Sequence, residues 1–185
     1  MAIVIKEVSE IQNIIPHVKD FIFDQIKKEY NGDINPRYHY DILEIEEYYF
    51  TPQRNNLFVA MEGDEIIGTI AVRGYDKSFD EFKGKYDKDT TASIWRLFID
   101  EKFRRNKLAT KLYTAVEEFS KENNYKYIYL HTHKNLEGAL LFWQKMGFDI
   151  TLDTDDEFQT VHMHKNLIKL DLDYVEDREE SIIKS

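Results

Sequence analysis

The stretch "ASIWRLFIDEKFRRNKLATKL", residues 92–112, constrains the fold more than any other part of this chain. Its first eight residues are mostly apolar and read as a buried strand, while Leu108, Leu112, Ala115, Val116 and Phe119 recur at helical spacing and form one apolar stripe. Only a short turn separates the two, so the helix must fold back onto the sheet that holds the strand. That turn carries Arg104, Arg105 and Lys107 where the helix begins. A helix N-terminus bears partial positive charge and prefers acids, so cations there cost stability unless an anion binds. Consecutive N–H groups at a helix start form a nest for such an anion, and a phosphate or pyrophosphate satisfies both charge and geometry. The plainer reading is that the three side chains extend into water.

The rest of the chain alternates strand and helix signals. "IVIKEV" reads as a strand, and Ser9 with Gln12 as a capping box before a helix that has Pro16 in its first turn and Val18, Phe21, Ile22 and Ile26 on its apolar face. "NGDINP" breaks the chain, and 38–50 reads as a second helix rich in Tyr and Glu. "LFVAM" and "IIGTIAVRGY" flank a Gly-Asp turn as a hairpin, followed by a charged connection at 76–90 that is long for its place. "YKYIYLHTH" is a strand, "NLEGALLFWQKMGF" a helix capped at Gly147, and "DITLDT" and "FQTVHMHKNL" a closing pair of strands. The order β-α-α-β-β-β-α-β-α-β-β predicts an α+β domain, α/β/α-like, with a mixed sheet. One domain is expected over residues 1–165, with an acidic C-terminal extension over 166–185.

Composition removes several function classes. With 185 residues, 42% apolar and 14% aromatic, the chain is globular. A net charge of −10 and a pI near 5.1 argue against nucleic acid as a partner. The absence of cysteine excludes disulfides, thiolate zinc sites and a cysteine nucleophile. No run approaches a membrane span, and the N-terminus meets charge too early for a signal peptide, so a cytoplasmic protein without a membrane partner is expected.

Three motifs in order now carry a resemblance. "RLFIDEKFRRNKLATKL" resembles the acetyl-CoA motif Arg/Gln-x-x-Gly-x-Gly/Ala of the GCN5-related N-acetyltransferases (GNAT), with Arg104 in its first position and Ala109 in its last. "NLEGALLFWQKMGF" resembles that family's next helix, and "LFVAMEGDEIIGTIAV" its central hairpin. The resemblance implies a sheet of about seven strands, splayed between the fourth and fifth, with about four helices. It implies acetyl-CoA as co-substrate in that gap. The pantetheine would lie along Leu97, Phe98 and Ile99, and the pyrophosphate against the turn and helix start at Arg104, Arg105, Asn106, Lys107, Leu108, Ala109 and Thr110. Asn135 and Trp143 would also bind the cofactor. The sequence departs from the family at Lys107, where Gly is usual, and at Trp143, where many relatives carry a Tyr able to protonate the leaving thiolate. Lysine in a helical conformation would still present its N–H.

The implied chemistry is attack of a neutral primary amine on a thioester, directly, since no cysteine is available. The backbone amide at Ile99 is the candidate oxyanion donor and His131 the candidate base. An acidic chain favours a cationic acceptor: a polyamine, an aminoglycoside-like compound, or a protein amine. Asp76, Asp80 and Glu81 would attract such an amine or simply be solvated, and the tyrosines of "YHYDILEIEEYY" would line its pocket or pack. Trp95 reads as core. His131-x-His133 and His162-x-His164 raise the question of a zinc site, against which stands their reading as ordinary strand residues; no metal is expected. A homodimer is compatible with the resemblance. The alternatives are a CoA-binding or protein-interaction module without strong catalysis, and a transferase using another acyl-CoA.

Overall fold

The structure, a computed structural model, describes residues 2–168 except 31, 33, 78 and 105, and leaves the side chain of Tyr30 undescribed. The constraining stretch folds as β4 (Thr91–Ile99), a short 3-10 turn (Glu101–Phe103) and α3 (Leu108–Glu122). Before it come β1 (Ile3–Glu7), α1 (Ile15–Tyr30), α2 (Pro36–Leu43), β2 (Asn56–Glu62) and β3 (Glu65–Gly74); after it come β5 (Tyr127–His133), α4 (Ala139–Lys145), β6 (Asp149–Asp153) and β7 (Thr160–Asn166). The seven strands form one sheet in the order β1-β2-β3-β4-β5-β7-β6. Only β4 and β5 run parallel. All other neighbours are antiparallel, so the α+β expectation holds.

The α3 stripe packs as its periodicity requires. Leu108, Leu112, Tyr113 and Val116 are buried against Phe58, Ile70, Val72 and Ile94 on one face of the sheet. Gly68 lets α3 approach, since a Cβ there would meet Leu112 Cδ1 at 3.1 Å. The other face is covered by α1 and α2, through Val18, Ile22, Ile26 and Ile42, and by Ile45 just after α2. Burying an aliphatic side chain of this size stabilises by roughly 1.5–3 kcal/mol each, which outweighs the modest propensities of these short helices.

Local structure departs from expectation in three places. Ser9 does not cap α1: residues Val8–Glu10 form a 3-10 turn, and the helix starts at Ile15 with Pro16 in its first turn. The second helix is broken. Asn35 caps α2 by accepting from the Arg37 N–H, His39 is non-helical, and a separate π-helical turn occupies Glu46–Phe50. The fourth helix is shorter than its motif because Gly138, with φ 76°, stands just before it. Gly147 ends it as expected, in the left-handed region at φ 89°. The long connection at 76–90 is not loose: Tyr75, Phe79, Phe82 and Tyr86 pack on Tyr129 and Leu152, capping the far half of the sheet. Of the acidic extension, residues 169–185 lie outside the described residues.

Candidate active site

The sheet opens between β4 and β5. Their parallel pairing runs only from Thr91–Tyr127 to Ser93–Tyr129, so β4 continues to Ile99 with no β5 partner along that edge. On its other edge β4 stays bonded to β3, and Asp100 N–H donates to Ile67 O at 2.9 Å. Backbone groups alternate in direction along a strand, so Leu97 and Ile99 turn theirs toward the opening. A bulge sharpens this geometry. Thr69 faces Phe98 and Ala71 faces Trp95, leaving two residues of β4 against Ile70; Arg96 in the bulge has φ 54°.

The open edge leads to the start of α3. Lys107 precedes the helix with φ 58° and ψ 18°, and no side chain caps the helix. At the start of a helix the amides of Leu108, Ala109 and Thr110 have no intrahelical partners, and the first turn contains no acid. Lys107 therefore does not present its N–H from a right-handed helical conformation, as expected, but sits left-handed, a position that glycine occupies without strain. Arg104 is turned across the mouth: its Nη2 lies 3.4 Å from Glu29 Oε1 of α1, and its Nε donates weakly to Ile99 O at 3.5 Å. Asn135 is exposed and lines a cavity of about 100 Å³ with Glu29, His133, Leu136 and Phe158, on the opposite wall of the mouth. A larger concavity, about 440 Å³ between β1 and α3, lies away from the opening. Arg105 lies outside the described residues. Trp143 is buried in the α3-side core, edge-on to Tyr113 at 5.9 Å and Phe148 at 5.3 Å.

On the α1/α2 side of the opening stands a polar cluster buried among rings. Arg96 grips Asp41 through both carboxylate oxygens, Nε to Oδ2 at 3.1 Å and Nη2 to Oδ1, and Tyr49 donates to Oδ2 at 2.6 Å. Burial pushes the Asp41 carboxyl up, but the Arg96 bonds and charge, with the Tyr49 bond, prevail and hold it below the usual range. Arg73 is 2% exposed; its Nη2 reaches Tyr40 at 3.1 Å and Asp76 Oδ2 at 3.2 Å, and its Cζ lies 3.8 Å from the Trp95 ring centroid. Lys77 Nζ lies 4.0 Å from the same centroid. Burial, then the charge of Arg73, lowers the Lys77 ammonium to about 8. Asp76, Trp95 and the tyrosines of 38–49 are legible as candidates in the sequence, but Asp41, Arg73, Lys77 and Arg96 belong to no motif. Their signal in the sequence was the two arginines that interrupt apolar strands, in "IAVRGY" and "IWRLF".

His131 faces this cluster from β5, its ring 6.5 Å from that of Trp95. Burial, then the positive charge of Lys77, lowers it to about 3, so the imidazole is neutral at physiological pH. The other strand histidines are engaged elsewhere. His162 Nδ1 is hydrogen-bonded to the Tyr129 hydroxyl at 2.7 Å, His164 Nδ1 to that of Tyr86 at 2.9 Å, and His133 Nδ1 to Phe158 O at 3.1 Å. The register does bring His131 opposite His162, but Phe79 stands edge-on to both. Among the described residues, no group of three or more His, Cys, Asp or Glu is placed to hold a metal ion, and no helix is long and apolar enough to cross a membrane.

Comparison with known proteins agrees with this architecture. Residues 20–148 match the model of the Acetyltransferase (GNAT) family. The chain is 27% identical over 110 residues to N-acetylaspartate synthetase of Mus musculus, covering 60% of this chain and 33% of that one. It is 24% identical over 131 residues to N-acetyltransferase 8 of Mus musculus, covering 71% and 55%. The chain thus spans about a third to about half of the length of these relatives. In structure it is similar to an acetyltransferase of the GNAT family from Staphylococcus aureus, with TM-score 0.72, 24% identity, and coverage of 90% of this chain and all of that one. It is also similar to PaiA N-acetyltransferase from Thermoplasma acidophilum, solved in complex with coenzyme A, with TM-score 0.61, 18% identity, and coverage of 90% and 99%. With the family model spanning more than half its length, a sheet open between β4 and β5 and an uncapped helix at the head of that opening, the chain belongs to the GNAT acetyltransferase family.

Proposed function

We propose that this protein transfers an acetyl group from acetyl-CoA to an amine by direct attack. The observation that carries the reading is the continuity of two features: a β4 edge that loses its partner after Ser93, and the acid-free start of α3 to which that edge leads. Along the edge at Leu97, Phe98 and Ile99, the backbone groups of Leu97 and Ile99 are offered to an amide-bearing arm as an added strand would meet them, while Phe98 turns its own toward β3. The amides of Leu108, Ala109 and Thr110, with Arg104, Asn106 and Lys107 around them, suit a pyrophosphate. Arg105 follows Arg104 in the sequence and adds to the same basic run. Asn135 borders the mouth from the β5 side. Trp143 is assigned a packing role under the site, since its indole can donate a hydrogen bond but cannot act as an acid.

The amine nitrogen attacks the thioester carbonyl, a C–N bond forms, the C–S bond breaks, and the sulfur takes a proton from water. The carbonyl oxygen gains negative charge as the bond forms, and the Ile99 amide, turned toward the opening, is the donor for it. The ammonium must lose its proton before the nitrogen can attack; His131 is neutral, but with its pKa lowered to about 3 it is too weak a base to hold that proton, so its role is to orient the amine and relay the proton to water. The names of the relatives, N-acetylaspartate synthetase and N-acetyltransferase 8, support nitrogen as the acceptor atom.

Thiol release from acetyl-CoA across a panel of amines tests the reading. Turnover with at least one amine, accompanied by the acetylated product, is expected. CoA binding without turnover on any acceptor would leave a binding module instead, and turnover of succinyl-CoA in preference to acetyl-CoA would correct the donor.

A further inference from the structure

The polar cluster beside the opening is supplied with donors and short of acceptors. Arg73 Nε and Nη1, Trp95 Nε1 and Ser93 Oγ are all buried and have no hydrogen-bond partner among the described residues. Arg73, Trp95 and Ser93 share one face of the sheet, because Arg73 pairs with Ser93 and Ala71 with Trp95 across β3 and β4. Guanidinium and indole groups can only donate, so whatever completes them must accept. Leaving such groups unpaired in a buried place is costly, so a ligand that accepts from them is favoured.

Charge selects among acceptors. Three cations, Arg73, Lys77 and Arg96, meet two carboxylates, Asp41 and Asp76. Asp41 is fully used by Arg96 and Tyr49, and Asp76 is half-exposed on Arg73. Lys77 makes no ion pair within 4 Å among the described residues and lies against the Trp95 ring instead. The cluster therefore has room for one negative charge. A cationic acceptor, which the acidity of the whole chain favoured, would meet repulsion here.

We propose that the acceptor is an amino acid, whose carboxylate seats against Arg73, Trp95 and Lys77 while its amine faces His131. His131 stands edge-on to the Trp95 ring, 6.5 Å between centroids, so the unpaired donors and the imidazole are neighbours, and an acceptor whose carboxylate and amine are separated by few bonds reaches both. Burial first and the Lys77 charge second hold His131 low, and a carboxylate in this place offsets the second of these. This inference rests on the acetyl-transfer reading above.

The test uses the whole chain, acetyl-CoA, and matched pairs of an amino acid and its carboxamide with aliphatic, acidic and basic side chains, plus spermidine. The free acid of at least one pair is expected to show kcat/KM tenfold or more above its carboxamide. Lys77→Met should raise KM for that amino acid about tenfold, leave KM for acetyl-CoA unchanged, and be rescued in part by Lys77→Arg. A melting curve of Lys77→Met without ligand establishes that it folds. Equal or better turnover of the carboxamides or of spermidine overturns the proposal, as does an unchanged KM in Lys77→Met. Should no amine be acetylated, calorimetric titration of the same amino acids into the CoA-saturated protein separates the two readings. Binding that Lys77→Met weakens would retain the carboxylate subsite while acetyl transfer fails, and no binding by any amino acid overturns the subsite itself.

Discussion

Two residues hold conformations or charge states at odds with their free chemistry. Lys107 is left-handed at φ 58°, where a side chain costs about 1–2 kcal/mol that glycine avoids. Glycine also loses more backbone freedom on folding, about 0.5–1 kcal/mol. Lys107→Gly should therefore raise stability by about 0.5–1 kcal/mol in urea unfolding, whereas Lys107→Ala, which keeps the Cβ, should leave it near the parent. The same Lys107→Ala change should weaken CoA binding about fivefold at low salt if the ammonium meets a phosphate. A glycine variant no more stable than the alanine one would show that the turn is not strained. His131 is the second case. Its imidazole protonates near 6.5 when free and near 3 in the fold, because burial and then Lys77 oppose the charge. Between those values the unfolded chain binds more protons, so the contribution to stability is full above about 6.5 and fades as pH falls toward 3. His162 and His164 are lowered by burial too and add in the same direction. Melting temperature should drop from pH 6.5 to 4, and less steeply in His131→Gln; parallel curves for the two proteins would place the acid sensitivity elsewhere.

Among the elements, α1 carries a message to the basic turn that follows β4. Glu29, in its last turn, lies 3.4 Å from Arg104, and burial, only partly countered by Arg104, pushes its carboxyl up. A pair half open to solvent on the Arg104 side contributes little to stability, about 0–1 kcal/mol, so its effect is on where Arg104 points. Glu29→Gln removes one negative charge from the mouth and releases the guanidinium toward α3. CoA should then bind two- to fivefold more tightly at low salt by calorimetry, with the difference shrinking in high salt. Weaker binding in Glu29→Gln would mean that Glu29 positions the turn productively. The connection at 76–90 acts on the opposite wall. Phe82 and Tyr86 lock it onto Tyr129, and this anchoring delivers Lys77 to the Trp95 ring. A segment read as a charged loop is thus two things at once, solvated at Asp80 and Glu81 and packed at its aromatics.

At the scale of the molecule, what the sequence made legible follows from locality. The α3 stripe, the Gly147 cap and the hairpin at 57–75 are written within a few residues of themselves, and each forms where its pattern lies. The acceptor side is not so written. Asp41 and Arg96 are 55 residues apart, and the bulge that aims Arg96 arises from the register between β3 and β4. No window of sequence contains both partners, and the broken second helix that presents Asp41 hid it inside a longer periodic run. The cofactor side, in contrast, is one continuous stretch, and its prediction can be made for the whole fold. A ligand that binds only the folded state stabilises it by RT ln(1 + [L]/Kd), about 2.7 kcal/mol at one hundred times Kd. For a chain of this size each kcal/mol moves the midpoint by about 2–4 °C, so saturating CoA should raise the melting temperature by roughly 5–10 °C. Because the basic turn supplies part of the attraction through exposed charge, the shift should shrink between low and high salt, where screening shortens from about 30 Å at 0.01 M to about 3 Å at 1 M. The part that survives high salt measures the backbone amides of α3 and the β4 edge. A shift independent of salt would assign the site to those amides alone, and no shift at millimolar acetyl-CoA would remove the opening between β4 and β5 as the cofactor site.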